Sequence, residues 1–199
     1  MAGKPADAGG NRWHEIAIAP LDGDGRGVLE ALVAELSRHV EIACRLVRQP
    51  PDVTPLTVPG RAQLDADRLL TELERHGAAG VPLVGVTGHD LGVPIFTFVF
   101  GRARLGGTAA VISLARLHQE FYGLPPDPPL VARRAAAEIL HELGHVAGLA
   151  HCPNRSCLMS FAAGIEAADL RGLEFCADCS PRLPPGLAPR RRGVAAAEI

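Results

Sequence analysis

The sequence lacks any apolar run long enough to cross a membrane, and it has no excess of charge of one sign. No stretch approaches the ~18 apolar residues of a membrane span, and the first 12 residues, MAGKPADAGGNR, hold no signal-like run of ~7–15 apolar residues. Its 20 Lys and Arg face 22 Asp and Glu, a formal net charge of −2. That balance gives no sign of a nucleic-acid interface. We expect a cytoplasmic protein with no membrane or nucleic-acid partner.

Cysteine is scarce, with five residues unevenly spread along the chain. A cytoplasmic compartment keeps thiols reduced, so structural disulfides are not expected. Cys44 lies within a predicted strand and is interpreted as a small buried apolar residue. The other four form two close pairs near the C-terminus, where metal binding is the preferred interpretation.

The first half of the chain predicts alternating strands and helices. Hydrophobic residues make up 47% of the 199 residues, enough for the core of one domain. Strand, helix, strand, helix, strand is typical of a parallel sheet with right-handed crossovers. The predicted strands cover residues 14–22, 40–47 and 81–91, and the predicted helices cover 25–39 and 61–76.

The second half has a different pattern. The stretches IFTFVFGRARL and TAAVISLARL predict two more strands, and the Gly-Gly pair between them indicates a hairpin. After a proline-rich loop, the helical pattern resumes at Leu130 and continues through VARRAAAEILHELGHVAGLAH. The order of elements predicts an α/β (α+β) fold, and no internal repeat is present.

Three histidines and a glutamate near the end of this helix are set at metal-binding intervals. His141 and His145 are four residues apart, so both imidazoles lie on one helical face. Glu142 flanks the pair without needing to bind the ion. Gly148 permits a left-handed helix end, after which the chain can return with His151. Three imidazoles leave one tetrahedral position open, which is typical of a catalytic zinc site.

Four cysteines follow directly. Cys152 and Cys157 form one pair, and Cys176 and Cys179 form a C-x-x-C. Together they predict a tetrahedral thiolate site, which would be structural because protein fills every ligand position. The alternatives are reduced free thiols and redox pairing within the C-x-x-C.

These residues resemble a known family. HELGHVAGLAH matches the metzincin pattern H-E-x-x-H-x-x-G-x-x-H. Its continuation CPNRSCLM and the later FCADC resemble the archaemetzincin family, and the likeness extends over about residues 16–179. The resemblance implies a twisted, mixed, five-stranded sheet with helices, an active-site helix and a small C-terminal subdomain with a four-cysteine zinc site. It also implies that Met159 lies beneath the histidines and that FTFVFG forms the rim of a peptide-binding cleft.

We therefore predict a zinc metallopeptidase with two Zn²⁺ per chain. His141, His145 and His151 would bind the catalytic ion, and Glu142 would be the general base. The structural ion, bound by the four cysteines, would brace the loop carrying His151. The expected partner is a peptide or protein substrate, and we expect a monomer. Two alternatives remain: a non-catalytic zinc module that binds a peptide or protein, and a hydrolase of non-peptide amides.

The domain boundaries follow from the same pattern. We expect residues 1–12 to be disordered and 13–180 to form a single metallopeptidase domain. Within it, 13–148 would be the N-terminal and 149–180 the C-terminal subdomain. Residues 181–199 would be a disordered Pro- and Arg-rich tail, in which Arg190–Arg192 is solvated rather than a binding patch.

Overall fold

The computed structural model describes residues 13–22, 26–47, 57–78 and 80–187. They form an α/β fold with a five-stranded and a three-stranded sheet, and within them no helix is long and apolar enough to cross a membrane. The strands are β1 (Glu15–Pro20), β2 (Ala43–Leu46), β3 (Leu64–Asp65), β4 (Leu83–Thr87), β5 (Leu91–Val93), β6 (Phe96–Val99), β7 (Gly101–Ala103) and β8 (Ala109–Ser113). The helices are α1 (Arg26–His39), α2 (Ala66–His76), α3 (Pro128–Val146) and α4 (Ile165–Leu170), and 3-10 turns span Gln119–Tyr122 and Ser180–Arg182.

The larger sheet has the mixed topology that the sequence predicts. Its order is β2-β1-β4-β8-β7; the first four strands are parallel, and β7 pairs antiparallel with β8 as the hairpin signal indicates. Every residue of β4 and β8 is buried. Such continuous apolar strands are expected where helices cover both faces of a parallel sheet.

Alternate residues of β1, β4 and β8 enter two different cores. Ile16 and Ile18 of β1 pack with α1 and α3, whereas Ala17 and Ala19 face α2. The α2 side is lined by small residues: a Cβ at Gly85 would lie 2.7 Å from the Leu73 side chain. Small side chains on this face therefore allow α2 to approach the sheet closely.

Two predicted elements differ from the observed ones. The second helix begins at Ala66 rather than near residue 61, because the Asp65 carboxylate accepts hydrogen bonds from the Asp67 and Arg68 N–H groups, both at 3.1 Å, and so caps the helix. The single strand predicted over IFTFVFGRARL is divided at Phe100. This residue enters the main core, so β6 pairs with β5 in the small sheet and β7 pairs with β8 in the large one.

The helix that carries the histidine motif has defined ends. Asp127 caps α3 by accepting from the Leu130 N–H at 3.0 Å, and two prolines occupy its first positions. At the other end, Gly148 has φ of +91°, the left-handed conformation predicted for it. The helical pattern therefore stops shortly after His145.

The boundary predicted for the disordered tail, at residue 181, is too early in the chain. Residues 181–187 are ordered: Leu187 is fully buried in the main core, and the Glu41 N–H donates to the Gly186 carbonyl at 2.8 Å. An apolar side chain within a Pro-rich segment thus fixes it to the chain around residues 40–42. The predictions for residues 1–12 and 188–199, including Arg190–Arg192, lie outside the described residues. The subdomain boundary at residue 148 stays a prediction; one core cluster contains side chains from both sides of it.

Candidate metal centres

The three predicted histidines converge at the end of α3. His141 and His145 lie on consecutive turns, and the chain reverses at Gly148 to bring His151 beside them. One ring nitrogen from each histidine lies within 4.8 Å of the others. The three predicted histidines are therefore brought together.

Hydrogen bonds to carbonyl groups define the tautomers of two of these rings. His141 Nδ1 lies 2.8 Å from the Leu158 carbonyl oxygen, and His145 Nδ1 lies 2.7 Å from that of Leu149. A carbonyl only accepts, so each Nδ1 carries the hydrogen and each Nε2 presents a lone pair. Burial lowers the pKa of all three histidines, His141 most strongly, which favours the neutral rings that bind metals.

The two Nε2 atoms face each other at 3.2 Å. Two lone pairs at that distance repel unless a cation lies between them. A tetrahedral zinc with Zn–N bonds of ~2.0–2.1 Å requires its ligand nitrogens about 3.3 Å apart. The donor set and its spacing thus fit a zinc ion.

Glu142 follows His141 in α3, and one of its carboxylate oxygens is unpartnered among the described residues. The residue is 4% exposed, and its Oε2 has no hydrogen-bond partner among the described residues. Burial, reinforced by the Glu138 carboxylate, raises the pKa of Glu142 well above its usual range. β7 closes over it: a Cβ at Gly101 would lie 2.7 Å from Oε1.

Met159 packs under the histidine pair. It is fully buried, and a Cβ at Gly144 would overlap its sulfur atom. The glycine between the two helical histidines therefore makes room for this methionine. The Met159 carbonyl also accepts a hydrogen bond from the Cys152 N–H at 2.8 Å.

The four predicted cysteines form a second cluster. One sulfur from each of Cys152, Cys157, Cys176 and Cys179 lies within 4.8 Å of the others. Cys152 and Cys176 Sγ are 3.8 Å apart, close to the ~3.8 Å edge of a tetrahedron with Zn–S bonds of ~2.3 Å. Backbone N–H groups lower the pKa of Cys176 to about 7, whereas burial raises that of Cys157 and Cys179. Four thiolates this close need a cation to offset their charge.

Two charged residues near the histidines were not identified from the sequence. Glu138 and Arg171 form a buried ion pair, and Arg171 Nη1 lies 3.1 Å from His141 Nδ1. Glu138 carries one signal that could have revealed it, because it lies on the face of α3 that carries His141 and Glu142. Arg171 carries none: it follows a short helix and stands 33 residues away from its partner.

A cleft of about 560 Å³ opens over the histidines. Phe96–Ala103 and Phe161–Ala163 line it. Glu142, Glu138 and Arg171 also reach its surface. The predicted rim segment FTFVFG therefore lines the cleft, and so does β7, at the edge of the larger sheet.

Three features define the metzincin class here. They are the mixed sheet, the helix with two histidines and a glutamate, and the third histidine beyond a glycine turn. The chain belongs to peptidase family M54, whose model matches residues 67–184. This confirms the resemblance to archaemetzincins drawn from HELGHVAGLAH and the cysteine pairs.

The chain is similar to proteins of known sequence and to solved structures. The archaemetzincin of Pyrococcus horikoshii is 46% identical over 105 residues, which cover 53% of this chain and 56% of that protein. The crystal structure of the archaemetzincin of Archaeoglobus fulgidus, complexed with malonate, superimposes with a TM-score of 0.73 at 30% identity over 85% of this chain and 99% of that one. A zinc-dependent peptidase from Methanocorpusculum labreanum gives a TM-score of 0.71 at 26% identity, over 84% and 98%. The chain thus aligns with little more than half the length of the first of these.

Proposed function

We propose that the chain is a zinc-dependent peptidase in which His141, His145 and His151 bind the catalytic ion. The observation that carries this proposal is the pair of Nε2 atoms facing at 3.2 Å in a cleft that Glu142, with its unpartnered oxygen, also lines. Membership of a peptidase family and the zinc-dependent relative support it. Zinc supplies a Lewis acid that polarises a carbonyl and makes water acidic.

Glu142 acts as the general base. Its buried Oε2 has no competing partner among the described residues, so the oxygen is available to take a proton from the attacking water. The same group then gives the proton to the leaving amine. The imidazoles need only stay neutral and fixed, which their carbonyl bonds favour.

The cleft binds the substrate as an extended chain. Phe96–Ala103 lines the cleft and contains β6 and β7, each at the edge of its sheet, so a peptide can align beside one of them as an additional strand. Phe96, Phe98, Leu105 and Phe161 give this cleft a largely apolar lining. A peptide or protein substrate is therefore proposed.

The four cysteines bind a second, structural zinc. All four positions come from protein, so this ion has no open site for chemistry. The segments that carry the two cysteine pairs are joined by a backbone hydrogen bond, in which the Leu158 N–H donates to the Glu174 carbonyl at 2.9 Å. We propose two zinc ions per folded chain. Cytoplasmic location, a monomeric state and the absence of a nucleic-acid partner stay predictions.

Glu142 separates this function from its alternatives. A module that only binds peptides needs no unpartnered carboxylate beside its ion. A hydrolase of small amides would use the same residues, so a screen with a peptide library and small amides separates it from a peptidase.

Glu142→Gln tests the mechanism. The amide is nearly isosteric but cannot take the proton, so we expect peptide cleavage to fall ~10²–10⁴-fold with zinc content and folding unchanged. Glu166→Gln, an exposed change on α4, is the control and should cleave normally. Equal cleavage by parent and Glu142→Gln would exclude Glu142 as the base, and one zinc per folded chain by elemental analysis would exclude the second site.

A further inference from the structure

We propose that Arg171 is a positioning residue of the histidine centre: with Glu138 it holds in place the turn that orients His141. The inference rests on the proposed function only in taking the histidines to be metal ligands. It concerns the affinity and geometry of that ion and not the hydrolysis step, so metal binding can test it without a substrate.

The Arg171 guanidinium bonds to two groups beside His141, the Glu138 carboxylate and the Ser160 carbonyl. The side chains of Arg171 and Glu138 are 3% and 5% exposed and form a close ion pair. Arg171 Nη1 donates to the Ser160 carbonyl at 3.4 Å and lies 3.1 Å from His141 Nδ1. One buried side chain thereby connects α3 with the turn at residues 158–160.

This turn provides the bond that orients His141. The ring donates from Nδ1 to the Leu158 carbonyl at 2.8 Å, two residues before the carbonyl that Arg171 holds. His145 differs, because its Nδ1 bonds to Leu149 just beyond the end of its own helix. The orientation of His141 therefore depends on a separate segment, which Met159 packs against Gly144 of α3 and which Arg171 ties to Glu138 of the same helix.

Burying Arg171 here is costly. A cation beside a metal-binding imidazole is repelled by the ion, and buried pairs add little to stability on average. A residue that fixes the hydrogen bond of a metal-binding histidine has a compensating gain, because loss of such outer partners typically costs ~10–100-fold in metal affinity.

A second ion pair supplies a matched control. Arg134 lies on α3 one turn before Glu138 and forms a bidentate ion pair with Asp169, with Nε–Oδ1 at 2.8 Å and Nη2–Oδ2 at 2.5 Å. Like the pair of Glu138 and Arg171, it joins α3 to the α4 region, but it lies closer to solvent, with side chains 11% and 39% exposed. Within the described part of the chain, Arg134 donates hydrogen bonds to Asp169 and to the Leu117 carbonyl, and neither is a predicted metal ligand.

The experiment compares Arg171→Met, Arg171→Lys, Glu138→Met/Arg171→Met and Arg134→Met. Arg171→Met alone leaves Glu138 beside Glu142 without a cation, which endangers folding; the double variant removes both buried charges and keeps apolar volume. Zinc affinity of the histidine centre is measured by competition with a chelator. The centre is then emptied and reloaded with Co²⁺, whose visible spectrum reports ligand geometry.

We expect the double variant to fold but bind zinc at the histidine centre ~10–100-fold more weakly, with an altered Co²⁺ spectrum. Arg171→Lys keeps the charge without the planar fork and should recover only part of the affinity. Arg134→Met should keep parental affinity and spectrum even if its melting temperature falls. Parental affinity and spectrum in the double variant would overturn the proposal, as would an equal loss in Arg134→Met.

Discussion

Substituting alanine at Gly101 should disable Glu142 without touching a metal ligand. The added Cβ would lie 2.7 Å from Glu142 Oε1, 2.8 Å from its Cγ and 3.0 Å from its Cδ. Ordinary contact begins at 3.4 Å, so the carboxylate must retreat by about 0.7 Å in a close-packed site. Glu142 is only 4% exposed and has little room to do so.

The magnitude follows from the sensitivity of proton transfer to distance. A misplacement of ~1 Å can cost ~10²-fold in rate, so we expect Gly101→Ala to lose about two orders of magnitude in kcat. Overpacking should also lower stability by ~1–3 kcal/mol. The histidines are not among the nearest atoms to the added Cβ, so the zinc content should stay parental.

The assay combines peptide cleavage, zinc content and thermal unfolding of the zinc-loaded protein. Gly88→Ala is the matched control: its Cβ would meet only the Asp22 carboxylate, at 3.4 Å, and it should keep parental kcat. If folded Gly101→Ala cleaves within about twofold of the parent, a loss far below the ~10²-fold expected, then β7 does not set the position of Glu142 and the reasoning fails.

Two further predictions concern the C-terminal part of the chain. Cys176→Ser should lose the structural zinc and also weaken zinc binding at the histidine centre, because Cys152 adjoins His151. A chelator titration checks this, with Cys44→Ser as control. Unchanged affinity at the histidines would show that the two sites are independent. Leu187→Ala should lower the free energy of unfolding by ~2–5 kcal/mol because this leucine is fully buried, whereas Leu170→Ala, at a leucine 83% exposed, should change it little. Urea unfolding of the zinc-loaded protein measures both free energies. Equal stability of the two variants would contradict the burial of Leu187 in the core.

The members of both candidate metal clusters could be predicted from the sequence because their spacing along the chain is short. A spacing of four residues fixes two histidines on one helical face, and a glycine that stops the helix brings the third within a few residues. The cysteine pairs are likewise close in sequence. In such cases the chain itself brings the ligands together, and little tertiary information is needed.

Features that depend on distant contacts were missed. Glu138 and Arg171 are charged residues of the kind that usually lies in solvent. They are buried against each other because the α4 region docks on α3. The division of one predicted strand at Phe100 depends on which sheet each half can join. Leu187 lies in a Pro-rich segment, and its place in the core depends on the chain near Ile42, about 145 residues earlier.

The three histidines are held by three different parts of the molecule. His145 donates to a carbonyl in the turn at the end of its own helix and His141 to the carbonyl of Leu158, whereas His151 adjoins Cys152, whose N–H donates to the Met159 carbonyl. The supports of His141 and His151 lie well beyond the helix, so α3 alone can supply two ligands but cannot hold both in place. The open site therefore depends on the segment after residue 148 being docked against α3. Since metal binding to an incompletely formed site must also supply the free energy that forms it, zinc affinity at the histidines measures how firmly this segment is held.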